Sequence, residues 1–240
     1  MEYNLDRFKG GLTDLNISLS EEQLSKFIKY YELLIEKNQV MNLTAITDFD
    51  EVVQKHFLDS LSLVKVLEER PVGRILDIGT GAGFPGIPIK IAFPDCSVTL
   101  VDSVNKKIGF IQEVVQELGL HNVDAIHGRV EDLGHNVSHR EQYDFVVSRA
   151  VAALPALVEY CLPFVKIGGA FLSYKSVKVD EELSAGKKAI QILGGRLKKD
   201  VRFQLTGTEI ERAFLLIEKE KPCPKKYPRK AGTPTKTPIR

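Results

Sequence analysis

Between Ile75 and Ile89 a short apolar run, Ile75-Leu76-Asp77-Ile78, leads straight into three alternating glycines, Gly79, Gly81 and Gly83. The run fits a strand buried on both faces of a parallel sheet. The glycines mark a place where the backbone turns sharply and leaves room for something to lie against it. Ile87, Ile89 and Ile91 then recur with period two, which locally fits strand or helix. Their place after a strand and a glycine turn favours a helix, with Pro85 and Pro88 in or before its first turn. Strand, glycine turn and helix together predict a nucleotide-type cradle at the carboxyl edge of a doubly wound sheet.

Two nucleotide classes compete for that cradle. Gly81-Ala82-Gly83-Phe84-Pro85-Gly86 satisfies the dinucleotide pattern G-x-G-x-x-G literally. Against it, Pro85 removes a backbone donor that a pyrophosphate would need, and Asp77 puts a carboxylate where a diphosphate is repelled. A carboxylate suits a ligand with a cationic end, an ammonium or a sulfonium. Asp77-x-Gly79-x-Gly81-x-Gly83 resembles motif I of the S-adenosylmethionine-dependent methyltransferases. The next apolar run, Ser97 to Val101, ends in Asp102, 23 residues after Gly79. That is close to the roughly 20-residue offset at which an acid accepts the hydroxyls of a bound ribose. The competing reading is a cap on the following helix.

With 240 residues, 43% apolar and 27% charged, the chain has the composition of a globular protein. No apolar run approaches the ~20 residues that span a bilayer, and Met1 to Arg7 lacks the apolar core of a signal peptide. Cys96, Cys161 and Cys223 suggest neither a disulfide framework nor a metal site. A cytoplasmic, metal-free protein is expected, and nothing demands more than a monomer. The net charge of +1 hides an asymmetry. Lys219 to Arg240 carries eight of the 33 basic residues and one of the 32 acids, leaving a body with 25 basic and 31 acidic residues. Such an end suits a polyanion, although a solvated tail has the same composition.

In chain order, Ser20 and Gln23 predict a capping box for a first helix, stapled by Leu19 and Leu24. Leu24, Phe27, Ile28, Tyr31, Leu34 and Ile35 share one of its faces. Asp48 and Glu51 look like a second capping box. Residues 1–70 therefore read as a helical extension without a core of its own, docked on a catalytic domain at 71–220, with a basic tail at 221–240. From Arg74 strands and helices alternate: a helix from Lys106 to Leu118, a third strand at Asn122–His127, a fourth at Tyr143–Ser148 and a fifth at Ala170–Tyr174. Leu197–Leu205 and Ala213–Glu218 have no helix between them and read as an antiparallel hairpin. The expected fold is α/β, that of a class I S-adenosylmethionine-dependent methyltransferase: a Rossmann-like, mostly parallel seven-stranded sheet ending in that hairpin.

Strand ends place the candidate site at Gly79 to Phe84, Asp102, Val130-Glu131 and Ser148-Arg149. Val130 can offer an amide to adenine and an apolar wall to its ring, while Glu131 either binds the ligand or caps a helix. Arg149, following a buried apolar strand, needs a partner: a cofactor carboxylate, held as a bidentate pair, or the target base. Absences narrow the reaction. The Asn/Asp-Pro-Pro-aromatic motif of amino-directed DNA methylases is missing where Ser148-Arg149-Ala150-Val151 stands. Pro222-Cys223 has the dipeptide of pyrimidine C5 methylases but lies in the tail. An acceptor needing no deprotonation, such as guanine N7, remains, and alignment alone can supply roughly 7–11 kcal/mol of its barrier.

Five segments in one order then make the match specific: Asn42-Leu43-Thr44-Ala45-Ile46, His56-Phe57-Leu58-Asp59-Ser60-Leu61, Asp77 to Gly86, Ser148 to Val151, and Arg229-Lys230-Ala231-Gly232-Thr233-Pro234. Together they resemble the bacterial ribosomal RNA small-subunit methyltransferase G family, also called glucose-inhibited division protein B. The resemblance implies S-adenosylmethionine as methyl donor and N7 methylation of one guanosine in the decoding-region loop of 16S rRNA, as free rRNA or in the small subunit. It carries the family's cofactor positions over to Gly79, Phe84, Val130, Glu131 and Arg149. Asp77, Gly81, Gly83 and Asp102 complete the expected cofactor set. His56, Lys106, Lys107, Lys175, Lys178, Arg196, Lys198, Lys199, Arg229 and Lys230 are the expected RNA contacts. Deleting the chain from Lys221 onward is expected to flatten the salt dependence of RNA binding and leave cofactor affinity alone. A small-molecule methyltransferase, a non-enzymatic RNA-binding module and an NAD-dependent oxidoreductase are the rival readings.

Overall fold

Seven strands line up in the order β3-β2-β1-β4-β5-β7-β6. They are β1 (Arg74–Ile78), β2 (Ser97–Asp102), β3 (Val123–His127), β4 (Tyr143–Arg149), β5 (Val165–Ser176), β6 (Gly195–Gln204) and β7 (Glu211–Lys219). The computed structural model describes residues 3–67, 70–177 and 179–239, so Lys178 lies outside the described residues. β1 pairs in parallel with β2 and β4, and β4 in parallel with β5. β7 runs antiparallel to both β5 and β6. Leu76 and Ile78 point to one face of β1 and Ile75 to the other, and all three are buried, as an unbroken apolar run in a central strand requires. β6 alternates half-buried with exposed residues, as an edge strand should. Because β1's two neighbours lead away in opposite directions, a crevice opens at the carboxyl ends of β1 and β4.

One face of the sheet is covered by the N-terminal helices α1 (Asp6–Asp14) and α2 (Glu21–Met41) with α6 (Gly86–Ala92) and α7 (Asn105–Glu117). α2 starts at the expected capping box: Gln23 N donates to Ser20 Oγ at 3.2 Å and Ser20 N to Gln23 Oε1 at 2.8 Å. At the second site only half the box forms. Asp48 caps Glu51 N, while the Glu51 carboxylate turns to Lys55. That cap opens α3 (Phe49–Val52), which continues through a π-helical turn, Val53–Leu58, into α4 (Asp59–Leu61), followed by α5 (Val64–Leu67). Phe8, Phe27, Phe57 and Tyr30 pack together and run on into Phe84 of the glycine turn. The Tyr30 hydroxyl donates to Ala82 O at 2.6 Å, so this layer buttresses the turn directly.

The other face is covered by α9 (Leu154–Cys161) and α10 (Asp180–Ile192), with the short α8 (Val130–Leu133) beyond β3 and α11 (Thr233–Lys236) near the C-terminus. The segment expected as a basic tail is docked here. Tyr227 and Ile239 join the core, and the Lys219 ammonium is buried against Leu162 O and Glu141. Its charge count was legible, but the buried acids that take up part of that charge were not.

Candidate functional site

The glycine turn exists because each residue meets a local demand. Gly79 and Gly81 have φ of +69° and +62°, where a side chain is strained. A Cβ on Gly79 would lie 2.4 Å from Val151, whereas one on Gly81 would meet nothing, because the turn is open above it. Beneath the turn, the wholly buried Asp77 accepts from the Thr80 hydroxyl at 2.7 Å and from Gly86 N at 2.9 Å, both on Oδ2. Burial pushes its pKa up to about 6 against those bonds. Its Oδ1 has no partner. Asp77 thus shapes the turn from below and does not line the cleft, a correction to the direct cationic contact expected of it.

Above the turn lies a cleft of about 370 Å³, walled by Gly79, Asp102, Val130, Glu131, Tyr160 and Thr235 among others. Asp102 accepts from Gly81 N at 3.0 Å and from Val104 N at 2.9 Å, so it ties the second strand to the glycine turn while facing the cleft. It bonds the amide of Val104, the residue just ahead of α7, but makes no N-cap bond within that helix. Glu131, nearly buried, accepts from the backbone of Gly232, and α8 opens without a side-chain cap bond. The donor set fits a nucleoside with a cationic sulfur. Asp102 offers a carboxylate suited to hydroxyls and Val130 an apolar wall suited to a ring, while the amides of Gly79, Thr80, Gly81, Gly83 and Phe84 are already bonded within the protein and offer a diphosphate nothing.

A second cavity, about 400 Å³, is lined by His56, Asp59, Arg149, Tyr174, Lys175 and Arg212 among others. It touches the cleft at Ala150, which lines both and holds φ at +57°, a strained value for alanine. Arg149, at the end of β4, donates to Asp59 Oδ2 at 2.7 Å and to Lys55 O at 3.1 Å, with its guanidinium over the Phe84 ring. Arg212 donates to the other oxygen of Asp59 at 2.9 Å. His56 stacks on Phe84 at 4.5 Å and bonds Thr44 Oγ1. Burial, reinforced by the Arg149 charge, lowers its pKa to about 4, so it is neutral at pH 7. The Asn42–Ile46 and His56–Leu61 segments thereby converge on Arg149.

The expected RNA contacts scatter. Lys106 is exposed, and Lys107 lines the cleft, 3.7 Å from Asp102. Lys175 lines the second cavity, held by Ala152 O and Glu182. Arg196 and Lys198 are at the wrong edge. Arg196 is level with Glu218, Ala170, Phe145 and Ile75 across the sheet, the amino end of β1, and both side chains pair with Glu218. Lys199 lies on the same edge strand and has partners of its own. Arg229 is consumed by a bidentate pair with the fully buried Glu159, while Lys230 is exposed. Arg212 escaped the sequence reading because the last strand was expected to begin at Ala213; an arginine opening an apolar strand was the available signal. Cys223, after Pro222, is buried with its thiol pKa raised by that burial, so it is no nucleophile. Among the described residues no cluster of His, Cys, Asp and Glu is arranged to hold a metal ion, and no helix is long and apolar enough to cross a membrane.

A seven-stranded sheet with this order, a glycine turn after β1 and an acid closing β2 define a class I S-adenosylmethionine-dependent methyltransferase. In fold the chain is similar to an O-methyltransferase from Bacillus cereus in complex with SAH, with a TM-score of 0.57 at 15% identity over 79% of this chain and 90% of that one. It is also similar to TrmN from Thermus thermophilus, with a TM-score of 0.52 at 16% identity over 70% of this chain and 53% of that one. The GidB family model, described as rRNA small subunit methyltransferase G, matches residues 23–210. Two relatives named ribosomal RNA small subunit methyltransferase G are 52% identical (Lachnoclostridium phytofermentans, 97% of this chain and 96% of the relative) and 50% identical (Lactococcus lactis subsp. cremoris, 98% and 99%). The chain belongs to the rRNA small subunit methyltransferase G family, an S-adenosylmethionine-dependent family.

Proposed function

We propose that this chain transfers a methyl group from S-adenosylmethionine to N7 of a guanosine in the decoding-region loop of 16S rRNA. The carrying observation is the meeting of two cavities at Ala150, one suited to a nucleoside donor and one lined by arginines. When bound, the cofactor supplies a methyl carbon activated by a positive sulfur. In this reading Asp102 accepts the ribose hydroxyls and Val130 walls the adenine. Arg149 meets the carboxylate end of the donor where it abuts the acceptor. Arg212 and Lys175 hold the guanosine and its phosphates by charge. N7 brings its own lone pair, so no side chain has to remove a proton, and a neutral His56 is consistent with that. The acceptor cavity, where Arg149 and Arg212 are both held by Asp59, keeps the reacting atoms aligned.

Lys106, Lys107 and Lys230 are the remaining candidates for phosphate contacts in this reading. A monomer in the cytoplasm, where ribosomal subunits are assembled, suits it. Incubation of the enzyme with labelled donor and either 16S rRNA or intact small subunits tests the proposal. Label should appear on one guanine and make its strand cleavable after borohydride and aniline, the behaviour of N7-methylguanine. Label on another atom or on neither RNA substrate overturns it.

A further inference from the structure

The C-terminal segment is bound to the body at four successive points. Arg140 donates to Tyr227 O at 2.7 Å and to Cys223 O at 2.8 Å. His135 shares a 2.7 Å hydrogen bond with Pro228 O. Arg229 donates through its backbone N and its Nε to Glu159 Oε1, at 2.8 and 2.9 Å. Gly232, with φ of +78°, then turns its N–H onto Glu131 Oε1 at 3.0 Å. Glu159 is sealed in the core of α9, so Arg229 is its neutralising charge and the docking is specific. Beyond Gly232 the chain brings Thr235 to the rim of the cofactor cleft, next to Tyr160.

We propose that residues 229–236 are a strap forming one wall of the S-adenosylmethionine cleft, with Gly232 positioning Glu131 and Thr235 closing the side opposite the glycine turn. The inference rests on the reading of that cleft as the cofactor site. It reverses the sequence expectation, in which losing the tail leaves cofactor affinity untouched. Within the strap Lys230 and Lys236 are exposed to solvent, so its charge and its wall are separate features.

The test is calorimetric titration of S-adenosylhomocysteine, which reads binding without turnover, on full-length variants. Thr235 is exposed, so Thr235→Trp changes no core packing and should leave the unliganded melting temperature in place. By occupying the cleft it should weaken the ligand by about a hundredfold. Gly232→Pro deletes the Gly232 donor to Glu131 and also forbids the φ of +78° that turns the strap, so it should weaken the ligand by about tenfold, with Thr235→Trp deciding the matter if this variant folds poorly. Unchanged affinity in Thr235→Trp overturns the strap. So does an effect confined to the salt dependence of rRNA binding, which would make the segment an RNA contact. Asp102→Ala separates the two levels: if it too leaves affinity unchanged, the cleft reading fails and the strap with it. If Asp102→Ala alone weakens binding, only the strap fails.

Discussion

The two cavities on either side of Ala150 are built in opposite ways. The cofactor cleft is floored by backbone: Gly79 and Gly81 fix its shape, and Asp102 closes it with bonds to main-chain amides. The second cavity is made of side chains that arrive from the N-terminal layer, β4, β5 and β7, and its two arginines, Arg149 and Arg212, share one acid, Asp59. A backbone site tolerates change around it but not at its glycines. A side-chain site depends on charge balance, because a buried carboxylate between two arginines is costly once either leaves.

The largest expected effect breaks the backbone half. Gly79→Val forces a branched side chain to φ near +69° and into Val151, and S-adenosylhomocysteine affinity should fall more than about a hundredfold. Arg149→Ala strikes the junction. We expect kcat to fall by about a hundredfold and cofactor Kd to rise by about tenfold. Arg149→Lys should recover little, since a single ammonium cannot serve Asp59, Lys55 O and the Phe84 face together. Asp102→Ala should raise cofactor Kd by about ten- to a hundredfold with little change in kcat, whereas Arg212→Ala should raise the KM for rRNA and leave cofactor Kd alone. If both variants move the same parameter, the division into donor and acceptor cavities is wrong.

The pH dependence of stability sharpens the contrast, because beside each half one displaced group, Asp77 or His56, titrates in the acid range. Asp77, raised from 3.8 to about 6, binds its proton more tightly in the fold. Its contribution is fully present below pH ~4 and is lost as the pH rises through 6. His56, lowered from 6.5 to about 4, does the reverse: its contribution is present above pH 6.5 and is lost as the pH falls through 4. Each is worth about 3 kcal/mol, and over pH 4–6 they oppose one another. Denaturation of the wild type should therefore vary little from these two groups in that window. His56→Gln should lose stability as pH rises through it, and Asp77→Asn should gain. Parallel slopes in the two variants would refute the assignment. The smallest effect is expected at the far edge of the sheet: Arg196→Ala and Lys198→Ala should change rRNA affinity by less than about twofold in filter binding, being paired surface charges.

The glycine turn, the acid ending β2, the succession of strands along the chain and the C-terminal hairpin were all legible in the chain, because their requirements are local. A positive φ needs glycine, a doubly buried strand needs a continuous apolar run, and a capping box needs two residues three apart. The partners of the charged side chains were not legible. Asp59 and Arg149 are 90 residues apart, Asp59 and Arg212 are 153 apart, and Glu131 and Gly232 are 101 apart. No period or composition reports which buried acid a distant arginine will neutralise. Sequence alone therefore determined the class of ligand cradle and its place in the sheet. Only the folded chain decided that Asp77 works from beneath the turn, that Arg196 is stranded at the far edge, and that the basic end is docked on Glu159 and Glu131. Those outcomes depend on which charges are removed from water together, and that is a property of packing.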